Sequence, residues 1–205
     1  MKLSENQKLK YALVTLIPLV LVLLAWGRLQ NPGSLPESIA PQNIEAKAEM
    51  NEIIKSSVLA LNSSQGERAL ALLEEANKKF PNQMDLQLHL GMAYRKTKKY
   101  TQADEVYKKL LEKYPECLPC KNNYAVNLIQ MDKAEEALTI LTDLIKLDST
   151  YTDVQSNLGI AYEKNGQITQ AIAAYQQYLK SIPANDGRAE PAMVRERIRR
   201  LEEGL

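Results

Sequence analysis

Histidine is almost missing from this 205-residue chain. His89 stands alone, so neither a zinc site with two histidines nor a relay of paired histidines can be assembled. An excess of one charge is missing too: 26 basic residues face 25 acidic ones, which excludes both the basic footprint of a nucleic-acid binder and an acidic tail. No glycine-rich phosphate loop and no nucleophile elbow occur. No cysteine precedes Cys117, which rules out acylation of a cysteine directly behind an N-terminal apolar run. The carboxylate pairs Glu74-Glu75, Glu135-Glu136 and Glu202-Glu203 are adjacent in helical stretches, hence on different faces, and suit solvation better than acid–base chemistry. No catalytic residue, cofactor or metal is expected from this inventory.

One stretch is conspicuously apolar. From Tyr11 to Trp26 the chain carries no charge. As a helix it would rise about 24 Å, slightly short of a hydrocarbon core of roughly 30 Å. Lys8, Lys10 and Arg28 can reach the headgroups, and Tyr11 and Trp26 stand where an aromatic belt forms. Basic residues cluster before the run and are sparse after it, which predicts a cytoplasmic N-terminus (1–10), a transmembrane anchor (11–27) and an exported remainder. The alternative is a signal peptide cut after Ala25-Trp26-Gly27, which would release a soluble periplasmic protein. Residues 28–43, with Pro32, Gly33, Pro36 and Pro41, read as an extended spacer.

Beyond the spacer the chain repeats itself every 34 residues. Gly91, Ala125 and Gly159 share one column; Ala69, Ala103, Ala137 and Ala171 another; Leu73, Tyr107, Leu141 and Tyr175 a third; Tyr94, Leu128 and Tyr162 a fourth. Pro81, Pro115 and Pro183 form a fifth, with Ser149 as its exception. Small residues let two helices approach, large ones fill the gap between pairs, and the prolines stop each second helix. Leu90-Gly91, Tyr94, Ala103, Tyr107 and Pro115, and likewise Leu158-Gly159, Tyr162, Ala171, Tyr175 and Pro183, resemble the tetratricopeptide repeat (TPR) family. Repeat 1 departs most, with Ser56-Ser57 in place of Leu-Gly, so its first helix is expected to pack differently or run longer. The fold class implied is all-α: a solenoid of four helical hairpins (44–185, with repeats near 50–83, 84–117, 118–151 and 152–185). Val194, Ile198 and Leu201 on a charged background predict a capping helix within 186–205.

The resemblance also implies a site. In TPR proteins the second, fifth, sixth, ninth, twelfth and thirteenth positions of each first helix line a concave groove. Here the last five of those positions select Leu88, His89, Met92, Arg95 and Lys96 in repeat 2, and Asn122, Asn123, Val126, Ile129 and Gln130 in repeat 3. In repeat 4 they select Ser156, Asn157, Ile160, Glu163 and Lys164. An apolar floor with amide rails suits a protein or peptide partner, unless the asparagines serve local hydrogen bonds instead. The basic clamp of chaperone-tail binders is absent, because Leu88, Met92, Asp153 and Asn157 occupy its places. Cys117 and Cys120 are a candidate disulfide at the junction of repeats 2 and 3, with a thiol-redox role as the alternative. The resulting expectation is a non-enzymatic, membrane-anchored adaptor of the bacterial inner membrane whose repeats face the periplasm. Its partner would be a segment or subunit of a cell-envelope complex, with no nucleic acid involved.

Overall fold

A computed structural model describes residues 41–148, 151–182 and 190–204. The apolar run of residues 11–27, most of the spacer, Ser149, Pro183 and Asp186-Gly187 lie outside them. Among the described residues no helix is long and apolar enough to cross a membrane. Contacts group the chain into residues 1–49 and 50–205.

Nine helices and no strand occur among the described residues: α1 (Pro41–Asn62), α2 (Gly66–Lys79), α3 (Met84–Lys96), α4 (Tyr100–Lys113), α5 (Leu118–Gln130), α6 (Ala134–Leu147), α7 (Thr152–Lys164), α8 (Ile168–Ser181) and α9 (Glu190–Glu203). Odd-numbered helices up to α7 are the first (A) helices of the hairpins, even-numbered ones the second (B) helices. The B helices bury residues at i, i+4 and i+7: Ala69, Leu73 and Ala76; Ala103, Tyr107 and Leu110; Ala137, Leu141 and Leu144; Ala171, Tyr175 and Tyr178. Their A partners bury Leu86, Leu90 and Ala93 in α3 and Val154, Leu158 and Ala161 in α7. Side by side, the hairpins make a continuous stack, each B helix also touching the next A helix, and A helices α3, α5 and α7 touching in series.

The turn from A to B is built identically four times. Ser64, Lys98, Asp132 and Gly166 all have positive φ (61°, 61°, 57° and 74°), and they stand 34 residues apart. The next amide donates back to the fifth residue before it: Gln65 to Ala60, Lys99 to Tyr94, Lys133 to Leu128 and Gln167 to Tyr162, at 2.8–2.9 Å. This is the left-handed closure that satisfies the last carbonyls of a helix.

One boundary differs from the sequence expectation. Helix α1 begins at Pro41, inside the stretch read as spacer to residue 43, because proline in a first turn has no amide the helix needs. It runs 22 residues against 13 for the other A helices, and it lacks their close backbone approach to the B partner. Ser57 replaces the small residue of its column; it is fully buried, and its hydroxyl donates to the Ile53 carbonyl at 2.8 Å. At the other end α9 is more than a cap: it continues the A-helix register, as its contacts show below.

Candidate functional site

The predicted groove residues lie on the A helices, and burial sorts them. Leu88, His89, Met92 and Arg95 are half-buried on α3, with Lys96 exposed. On α5, Asn123 and Val126 are half-buried, Asn122 is buried and Gln130 is exposed. On α7, Asn157, Ile160 and Glu163 are half-buried, Ser156 is buried and Lys164 is exposed. Met92, Val126 and Ile160 thus form a half-buried apolar line, one residue per repeat. Ile129 is a correction: it sits in the core at 1% exposure with Ala125 and Leu128. An aliphatic chain at this position gains by turning inward, whereas the equivalent Arg95 and Glu163 stay half-buried.

The amides are engaged with one another. Asn157 Nδ2 donates to Asn122 Oδ1 at 2.9 Å, joining repeats 3 and 4, and Asn123 Nδ2 donates to the Pro119 carbonyl at 2.9 Å. His89 is likewise local, with Nδ1 2.7 Å from the Asp85 carbonyl. What these groups offer a partner is therefore a set of fixed, partly satisfied polar atoms beside the apolar line.

Two buried phenols pack against the A-helix glycines, Tyr107 at Gly91 and Tyr175 at Gly159. Burial pushes Tyr107 up to about 12, an effect the nearby Arg95 guanidinium opposes. Tyr175 is held above the usual phenol range by burial and by donating to Glu163 Oε2 at 2.9 Å. The same Glu163 oxygen accepts from Arg197 Nε of α9 at 2.9 Å.

That ion pair exposes what the sequence reading missed. Glu163 and Arg197 are 34 apart, as are Ser156 and Glu190, whose side chains are hydrogen-bonded at 3.2 Å. Val194 follows Ile160 at the same offset and is buried. Helix α9 therefore continues the 34-residue register of the A helices through these side-chain links to α7. The periodicity was present in the sequence, but the charges crowding residues 195–200 obscured it.

The two cysteines are joined, with Cα atoms 5.2 Å apart. Cys117 is the N-cap of α5, its sulfur accepting the Cys120 amide at 3.2 Å, and Cys120 is fully buried beside Ala103, Tyr107 and Leu110. Among the described residues no cluster of His, Cys, Asp or Glu could hold a metal ion.

Comparison with known proteins places this arrangement. The tetratricopeptide repeat family matches residues 60–122 and 128–194. No curated protein sequence matches the chain. Among solved structures it is similar to TTC0263, a thermophilic TPR protein of Thermus thermophilus, at 21% identity and a TM-score of 0.65, over 75% of this chain and 85% of that one. It is also similar to MamA (residues 41 to the end) from Desulfovibrio magneticus RS-1, at 20% identity and a TM-score of 0.55, over 76% of this chain and 96% of that one. At such identities the likeness is one of fold.

Proposed function

The chain belongs to the tetratricopeptide repeat family, and from that premise we propose that it is a non-enzymatic adaptor holding a polypeptide segment of a cell-envelope complex against its A-helix layer. The observation that carries this is the half-buried line of Met92, Val126 and Ile160, apolar side chains that the stack lifts partly out of the core and backs with fixed polar groups. A partner strand or helix would cover them and gain the burial that the repeats themselves leave incomplete.

We propose further that residues 11–27 tether the repeats to a bacterial inner membrane with the body outside the cytoplasm. The charge-free run with basic and aromatic flanks supports this, and so does the Cys117–Cys120 disulfide, a bond that persists in oxidising compartments.

A photo-reactive amino acid at Val126 should cross-link a partner in intact cells, and one at Lys109, exposed on B helix α4, should not. Cross-linking only from position 109 would refute the groove. Protease added to spheroplasts should digest the repeats; their survival until the membrane is opened would refute the topology. Intact mass separates anchor from signal peptide, since a start at Arg28 means cleavage.

A further inference from the structure

Resting on the reading of the A-helix layer as a binding face, we infer that helix α9 completes it with an anchor pocket that takes a large apolar side chain next to an aspartate or glutamate of the partner.

Between α7, α8 and α9 the stack leaves an open pocket of about 490 Å³, within the range of about 300–1,000 Å³ typical of ligand sites. Ile160, Val194, Tyr175 and Met193 supply its apolar wall. Met193 is 62% exposed on a helix whose other outward residues are mostly charged. Its position is the more telling because it continues the column of Gly91, Ala125 and Gly159, where a B helix of the same repeat demands a small side chain. At Gly91 even a Cβ would come within 2.6 Å of the Tyr107 ring. A methionine at this place bars such close packing by a further B helix and leaves an adaptable apolar chain at the pocket.

The polar lining determines the sign of what enters. Its two carboxylates are already held: Glu190 accepts from the Ser156 hydroxyl, and Glu196 is gripped by Arg199 at 2.7 and 3.0 Å. That grip keeps the Glu196 carboxyl below its usual range and ionised at neutral pH. The two guanidiniums of the lining, Arg197 and Arg200, meet carboxylates through Nε, Arg197 at 2.9 Å to Glu163 and Arg200 at 3.7 Å to Glu196. Each planar fork has five N–H donors, and the outer ones suit a further carboxylate. An apolar wall beside two guanidinium forks with N–H donors directed outward fits an apolar residue adjacent to an acidic one.

The test uses the full chain in detergent micelles. Random dodecapeptides displayed on phage are selected against it, and the winners are resynthesised with amidated C-termini for fluorescence anisotropy. The expected consensus is a large apolar residue within two positions of an acid. Met193→Glu and Arg200→Glu, both at exposed sites, should each weaken binding about tenfold at unchanged melting temperature, and exchanging the peptide's acid for lysine should restore binding to Arg200→Glu. Selected peptides without an acid, binding indifferent to both substitutions, or binding that needs a free C-terminal carboxylate would overturn the pocket. If the peptides respond to Met92→Glu and Val126→Glu but not to the α9 pair, the pocket fails while the groove function stands. If they respond to neither pair, both fail.

Discussion

At the residue scale, volume is exchanged between two columns. Gly91 and Gly159 face Tyr107 and Tyr175, and a Cβ at either glycine would drive into the ring; Ala125 and Ser57 are instead matched with Leu141 and Leu73. Gly91→Ala should therefore cost about 1–3 kcal/mol by overpacking. Combined with Tyr107→Leu it should cost less than the sum of the two single changes, which a double-mutant cycle in urea would measure. Ser64, Lys98 and Asp132 hold left-handed backbone that only Gly166 adopts without steric penalty. Lys98→Gly should thus stabilise by a few tenths to about 1 kcal/mol, the steric relief of about 1–2 kcal/mol exceeding glycine's entropy cost of about 0.5–1 kcal/mol. Tyr107 sets an alkaline limit. Its folded pKa of about 12 lies above the ordinary 10.0, so its contribution is intact below pH 10 and is lost as pH rises towards 12. Melting temperatures should be flat up to about pH 9.5 and fall beyond it, and Tyr107→Phe should flatten that fall.

At the element scale, α5 and α9 contribute most to the proposed binding face. Helix α5 starts at the disulfide and carries Asn122, Asn123 and Val126 within its next two turns. Because the bridge closes only a four-residue loop, replacing both cysteines with alanine should cost no more than about 2 kcal/mol, and cross-linking from Val126 should persist. Loss of cross-linking in a folded double variant would favour the redox alternative. Helix α9 covers Ala171, Ile172, Tyr175 and Tyr178 with Val194 and Ile198. A chain ending at Ile182 would expose two large phenols and should lose more than about 3 kcal/mol or aggregate, as urea titration and light scattering would show. The A-to-B turns were only partly legible in the sequence. Gly166 marks its turn openly, whereas Ser64, Lys98 and Asp132 have no such signal, because repetition of the stack imposes their conformation.

At the scale of the whole molecule, stability in a stack of hairpins is shared between neighbours. Asn122–Asn157, Lys164–Asp132 at 3.3 Å and Lys99–Glu67 at 2.9 Å each bridge adjacent repeats. The two ion pairs are exposed and contribute little. The amide pair is another matter, since Asn157→Ala would leave the buried Asn122 carbonyl without this donor and should cost about 1–3 kcal/mol. Because α1 lacks close backbone packing on α2, hydrogen exchange should be fastest in α1 and slowest in the central helices α4 to α7.

The linear sequence by itself determined the all-helical repeat architecture. A period of 34, with small, large and proline columns in fixed register, leaves one way to bury every apolar face: hairpin against hairpin. It also located the apolar line of Met92, Val126 and Ile160, because a position repeated in each hairpin repeats in space. Only the tertiary structure decided that Ile129 turns into the core, that Asn122 and Asn157 hold each other, and that α9 takes up the A-helix register with Glu163 between Tyr175 and Arg197. Those outcomes depend on which side chains of neighbouring repeats come within bonding distance. A pattern along one chain records what each position is, whereas the partner that satisfies it is chosen by the packing of helices that are 34 residues apart in sequence.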